Sequence, residues 1–239
     1  MTTQSAAFGR RPGHAALTSV SRRSLMRGIA TGGALAAFPA LLGCAPAPTK
    51  KSAPGSTASA APGSVIMVIR HGEKPAKTDT AGGIDLTGQP DIHSLTTQGW
   101  TRAAYLPDLF ATDSAGQTRL PRPNVIYASG QGKGDGEGTR PRETVGPLAA
   151  ALDIPIDTTF SRGQEAELAQ RAAEQAGPTL ICWQHESIPA IGAAFASASP
   201  APPATWPDEV YDRVWVFTAV SGGWHFDDVP QMLLPGDAP

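Results

Sequence analysis

Cysteine is almost missing from this chain of 239 residues: there are two, Cys44 and Cys182. One follows an apolar run and the other sits inside an apolar strand pattern, so no disulfide framework is implied. Charged residues make up only 17% of the chain, with 19 Lys and Arg against 21 Asp and Glu. That near-balance hides an asymmetry, because residues 1–43 hold Arg10, Arg11, Arg22, Arg23 and Arg27 and no acid. The remainder is left with 14 basic and 21 acidic side chains. A body that acidic lacks the clustered Lys and Arg that neutralise nucleic-acid phosphates, which speaks against nucleic acid as a partner. Long apolar runs are lacking too, since the uncharged stretch Gly28–Gly43 is too short to span a bilayer. Nor is there a His-x-x-x-His or Cys-x-x-Cys spacing, so no metal and no cofactor is expected.

What is present suits one α/β domain of moderate size, with 41% hydrophobic residues and abundant glycine and proline. Residues 1–43 have the parts of an export signal: a basic region ending Ser21-Arg22-Arg23-Ser24-Leu25-Met26-Arg27, then the Gly28–Gly43 run. The paired arginines resemble a twin-arginine signal, and Leu41-Leu42-Gly43-Cys44 resembles a lipobox. The expectation is a lipoprotein acylated on Cys44 and held on the outer face of the cytoplasmic membrane. Residues 44–63, rich in Pro, Ala, Ser, Thr and Gly, read as a flexible tether, and 64–239 as the catalytic domain, expected to be a monomer.

Val65-Ile66-Met67-Val68-Ile69 is the pattern of a strand covered on both faces, and it ends at Arg70-His71-Gly72. Residues 96–110 read as a helix capped by Thr96 or Thr97, with Pro107 disturbing its last turn. Val125–Ser129 is a second strand, followed by the glycine-rich loop 130–138 and a helix from Thr139 in which Gly146-Pro147 should make a bend. Gln164–Ala176 is a third helix, stopped by Gly177 and Pro178. Thr179–Gln184 is a third strand ending at His185, Ile188–Ala196 a short helix, and 213–220 with 224–229 a hairpin. The alternation predicts a three-layer α/β sandwich, a mostly parallel central sheet flanked by helices. In such sheets ligands gather at strand carboxyl ends. Three of those ends carry Arg70 with His71, Ser129, and His185.

A strand ending Ile-Arg-His-Gly-Glu, a later Arg-x-x-x-Thr helix start and a strand ending in His together resemble the histidine phosphatase superfamily, whose fold is phosphoglycerate mutase-like. Leu95–Ala103 is also similar to that family's Leu-Thr-x-x-Gly-x-x-Arg-Ala segment. The resemblance implies a nucleophile at His71, phosphate-binding arginines at Arg70 and Arg140, and a second phosphate-binding histidine at His185. It implies hydrolysis of a phosphomonoester, small or borne on a protein, through a phosphohistidine. Guanidinium forks bind phosphoryl oxygens bidentately and offset charge during transfer, and glycine at Gly72 permits a close backbone approach.

A general acid must also exist, first protonating the leaving group and then activating water. Glu186, next to His185, ranks first, then Glu165; Glu167, Glu73 and Glu143 are further choices. Arg142, two residues after Arg140, is a rival for the second arginine. His93 and His225, without a partner pattern, are assigned surface or packing roles, the five tryptophans packing roles, and Cys182 a place as buried filler. Two other functions stay open: a non-catalytic surface lipoprotein that binds phosphorylated or anionic ligands, and a phosphomutase.

Overall fold

Residues 60–76, 78, 82–112, 116–132 and 138–239 are described by a computed structural model. The expected export segment 1–43, Cys44, all of the tether but 60–63, and residues 133–137 of the glycine-rich loop lie outside the described residues. In chain order the elements are β1 (Val65–Arg70), β2 (Gly83–Ile84), β3 (Pro90–Asp91), α1 (Thr97–Tyr105), β4 (Val125–Ala128), α2 (Thr139–Leu152), β5 (Ile156–Asp157), α3 (Glu165–Ala173), β6 (Pro178–Trp183), α4 (Ile188–Ala193), β7 (Ala198–Ser199), β8 (Arg213–Val220) and β9 (Gly223–Pro230).

Seven of these strands form one sheet in the order β5-β4-β6-β1-β8-β9-β7. β5, β4, β6 and β1 run parallel, and β8, paired antiparallel with both β1 and β9, alone runs against the rest of the described sheet. The fold is therefore the α/β sandwich with a mostly parallel sheet that the strand and helix alternation predicts. The hairpin read from 213–229 is not a separate appendage. Its first strand lies directly beside β1, the strand that carries Arg70.

Strand residues alternate between two cores because successive side chains leave opposite faces of a sheet. On one face Ile66, Val68, Ile181 and Trp183 pack with α3 and α4 and with Trp206, Trp215 and Trp224. On the other, Met67, Ile69, Leu180 and Cys182 pack with Leu106 and Leu109 from the turn after α1 and with Val145 and Leu148 from α2. β1 and β6 are apolar apart from Arg70 and Thr179 because both of their faces are covered, and Cys182 is fully buried filler, as expected.

The helices are shorter than their periodicity suggests. Thr96 Oγ1 caps α1 by accepting from the Gly99 N–H at 3.1 Å. Pro107 converts the next residues, Leu106–Leu109, into a 3-10 turn rather than a continuation of the α-helix. α2 begins after Gly138, whose φ of +82° and close contact with the Ser129 and Gly130 carbonyls leave no room for a Cβ. Pro147 lies inside α2, and α3 and α4 stop at Ala173 and Ala193. The two-residue strands β2, β3, β5 and β7 carry no readable alternation and were not expected.

Candidate active site

Parallel pairing sets the site. β4, β6 and β1 are adjacent, with Ala128 opposite Cys182 and Arg70 opposite Trp183, so their carboxyl ends share one edge of the sheet. The ladder runs one residue further: His71 N–H donates to Trp183 O at 3.0 Å, and Ser129 N–H donates to Cys182 O at 3.3 Å. Beyond it, Gln184 Nε2 donates to Ser129 Oγ at 3.1 Å. The strand ends bearing Arg70-His71, Ser129 and Gln184-His185 are thus brought together.

His71 is buried, and its Nδ1 lies 2.7 Å from the carbonyl oxygen of Gly72. A carbonyl can only accept, so Nδ1 carries the proton and Nε2 the lone pair. Burial pushes the imidazole down to about 3; the Gly72 bond opposes this, while the charges of Arg70, Arg140 and Lys74 add to it. At neutral pH the ring is uncharged, with its lone pair on Nε2. The Gly72 N–H donates to Thr144 Oγ1 at 2.8 Å, and Thr144 in turn donates to Arg140 O at 2.8 Å, which joins the His71 turn to the first turn of α2. Gly72 is needed for packing: a Cβ there would lie 3.0 Å from Gly99 O in α1.

Arg70 is fully buried at the end of β1. Its Nη1 donates to Asp208 O, to Val210 O at 3.1 Å and to Pro207 O at 3.5 Å. Its guanidinium carbon sits 3.7 Å above the centroid of the Tyr211 ring, a cation–π contact. Nε and Nη2 are buried without a hydrogen-bond partner. Buried donors seldom stay unsatisfied, and two on one guanidinium form one fork for an anion. The same Tyr211 ring is 6.5 Å from that of His71.

Arg140 is fixed by donating from Nε to Ser94 O at 3.2 Å and from Nη2 to Ile92 O. Its charge is among those acting on the His71 ring. Lys74 belongs here as well: burial and the charges of Arg70 and Arg140 depress its ammonium, while Glu186 and Asp208 raise it.

His185 is also buried, with its Nε2 2.6 Å from Asp208 Oδ1. Its Nδ1 is 3.2 Å from Glu186 Oε2 but without hydrogen-bond alignment. Burial and Arg70 hold the ring below the usual histidine range; Asp208 and Glu186 pull it upward.

Three of the other carboxyls that the sequence offered are engaged elsewhere. Glu73 Oε1 accepts from Arg102 Nε at 3.0 Å and Nη2 at 2.8 Å. Glu143 accepts from Ser94 Oγ at 2.7 Å and from the Leu95 N–H at 2.9 Å. Glu165 accepts from Trp183 Nε1 at 3.0 Å and from the Gly163 N–H. Glu167 is exposed on α3, whereas Glu186 is half-exposed beside His185. Away from the site, His225 is half-exposed and pairs with Asp227 at 3.2 Å. Lys74, Asp208 and Tyr211 are the neighbours that sequence reading missed. Asp208 and Tyr211 come from a proline-rich stretch without periodicity, and their one clue is the acidic turn Trp206-Pro207-Asp208-Glu209 just ahead of β8.

No family model and no curated protein sequence matches this chain. Three solved structures illustrate what it is similar to. A SixA phosphohistidine phosphatase candidate from Agrobacterium tumefaciens is 17% identical, with 70% of this chain and 97% of that one covered and a TM-score of 0.41. YhfR from Bacillus stearothermophilus is 17% identical, covering 68% and 95%, also at 0.41. The ecdysone phosphate phosphatase of Bombix mori, in complex with tungstate, is 12% identical, covering 74% and 94%, at 0.38. At those scores the likeness decides neither fold nor chemistry, which rest on this chain's own residues.

Proposed function

We propose that this chain is a phosphomonoesterase that works through a phosphohistidine on His71. The observation that carries the reading is the pairing of an uncharged imidazole, protonated on Nδ1, with a buried Arg70 that has two donor nitrogens to offer. A phosphoryl group satisfies both, since its oxygens accept from the guanidinium while its phosphorus faces the lone pair.

In this reading His71 Nε2 attacks phosphorus, the bond to the ester oxygen breaks, and Glu186 gives that oxygen its proton. Water then attacks the phosphohistidine, Glu186 takes the proton from the water, the N–P bond breaks, and inorganic phosphate leaves. Arg70, Arg140 and His185 hold the non-bridging oxygens throughout, and preorganised donors of this kind typically contribute about 10²–10³ in rate each. His71 needs no deprotonation because burial already keeps it neutral. Lipidation of Cys44 would place the enzyme outside the cytoplasmic membrane, acting on esters there; Cys44→Ala should then move it from the membrane to the soluble fraction.

The test is hydrolysis of a panel of sugar, lipid, aryl and protein-borne phosphomonoesters by the wild type, His71→Ala and Glu186→Gln. Turnover by the wild type that His71→Ala loses supports the proposal. Tight binding of esters across the panel without any turnover contradicts it.

A further inference from the structure

Asp208 is 82% exposed at its side chain, yet it lies 2.6 Å from a nitrogen of the buried His185. An exposed carboxylate ordinarily holds a cation weakly because it moves and is screened. Here the backbone beneath it is pinned. Arg70 Nη1 takes the carbonyls of Pro207, Asp208 and Val210, and Trp206 Nε1 donates to Val210 O at 2.8 Å. The residue that binds the phosphoryl group in the reading above also sets the position of this carboxylate.

We propose that Asp208 is a positioning residue, which by accepting from His185 Nε2 keeps that imidazole oriented and favours its doubly protonated form when the phosphoryl group binds. This inference rests on the phosphate-binding reading of the site. At 2.6 Å from a carboxylate, Nε2 must carry a proton, because two lone pairs at that distance repel. A neutral ring protonated on Nε2 has only an acceptor at Nδ1 and cannot donate to a phosphoryl oxygen. The buried Nδ1, which has no hydrogen-bond partner, becomes a donor only in the imidazolium.

Four charged groups face this ring from the elements around it. Arg70 at the end of β1 and Lys74 in the following loop oppose its protonation, as burial does, whereas Glu186 and Asp208 favour it. Asp208 is the one that makes an aligned hydrogen bond with it. Removing its charge while keeping its shape therefore tips His185 toward the neutral form.

The experiment uses the full chain as wild type, Asp208→Asn and Asp208→Glu. Four quantities are followed from pH 5.5 to 8.5: the His185 imidazole by carbon-edited NMR, the affinity for inorganic phosphate by calorimetry, and kcat and KM with p-nitrophenyl phosphate. In Asp208→Asn the His185 titration should move down by about one unit, and phosphate affinity at pH 7.5 should fall about tenfold, since one unit is tenfold in population. The difference should narrow as pH falls and both rings gain their second proton. KM should rise more than kcat falls, and Asp208→Glu should restore most of the effect. An unchanged His185 titration with unchanged phosphate affinity overturns the proposal. So does tighter phosphate binding by Asp208→Asn, which would make the carboxylate a competitor for the site. Phosphate binding requires no turnover. A wild type that shows the shift without hydrolysing esters therefore sinks the phosphatase reading and leaves this one standing; active enzyme with an unshifted variant does the reverse.

Discussion

Two buried arginines, Arg70 and Arg102, show how the same side chain serves opposite ends within one fold. Arg102, on α1, has its guanidinium surrounded by acceptors: Glu73 Oε1, both carboxylate oxygens of Asp237 at 2.8 and 3.0 Å, and Gln231 Oε1 at 3.2 Å. Burial alone would lower its pKa, but the bonds to Asp237 and Glu73 outweigh that and raise it. Arg70 is equally buried, yet it meets only carbonyls on Nη1 and a ring face, leaving two nitrogens unpartnered. The satisfied arginine is a clamp that ties the loop after His71 to the C-terminal segment. The unsatisfied one suits the anion site proposed above, because the cost of its unmet donors would fall away when an anion arrives.

This contrast can be broken most forcefully at the clamp. Arg102→Met strands Glu73 and Asp237 beside apolar surface and should cost about 3–5 kcal/mol of stability in urea unfolding, the usual penalty for removing one partner of a buried ion pair. A loss below about 1 kcal/mol would show that the network carries no structural load.

Arg70→Met should behave in the opposite way. Turnover should fall about 10²–10³-fold, or roughly 2.7–4 kcal/mol in the barrier, while unfolding stability changes far less than in Arg102→Met. Equal stability losses in the two variants would erase the distinction between clamp and site.

Thr144→Val probes the link from the His71 turn to α2. It removes the acceptor for the Gly72 N–H and should cost about 1–3 kcal/mol through an unmet buried donor, with a drop in kcat as the His71 turn loosens. Kinetics and denaturation on one preparation would separate the two effects.

The last effect is read as a slope. His71 is depressed to about 3 in the folded state against 6.5 when free, so the unfolded chain binds the extra proton between those values. Stability is then full above pH 6.5 and is lost as pH falls toward 3. His71→Gln should flatten the acid limb of a stability–pH curve by up to about 1.4 kcal/mol per pH unit. An unchanged limb would mean that His71 is not buried neutral.

Much of this was legible in the residues, for reasons the structure makes plain. β1, β4 and β6 are central strands covered on both faces, so continuous apolar runs mark them, and each run stops at the polar residue that reaches the sheet edge. The choice among carboxyls was not legible, because adjacency in sequence does not tell whether an acid is already spoken for. Glu73, Glu143 and Glu165 are held by Arg102, by Ser94 with the Leu95 N–H, and by Trp183. Asp208 and Tyr211 were invisible for another reason. They reach the site through the backbone path of residues 200–212, set by tertiary contacts with Arg70 and Trp206 rather than by any periodic pattern. The two-residue strands β2, β3, β5 and β7 are too short to show alternation at all.

The account stands or falls on the nitrogen left free by the bond from His71 to the Gly72 carbonyl. Rapid acid-free quenching of the wild type during turnover of a labelled phosphomonoester, followed by peptide mapping, should find acid-labile, base-stable phosphate on the peptide containing His71. The label should be absent from His71→Ala and should persist longer in Glu186→Gln. Label on another residue, or steady-state hydrolysis by His71→Ala at the wild-type rate, would contradict it.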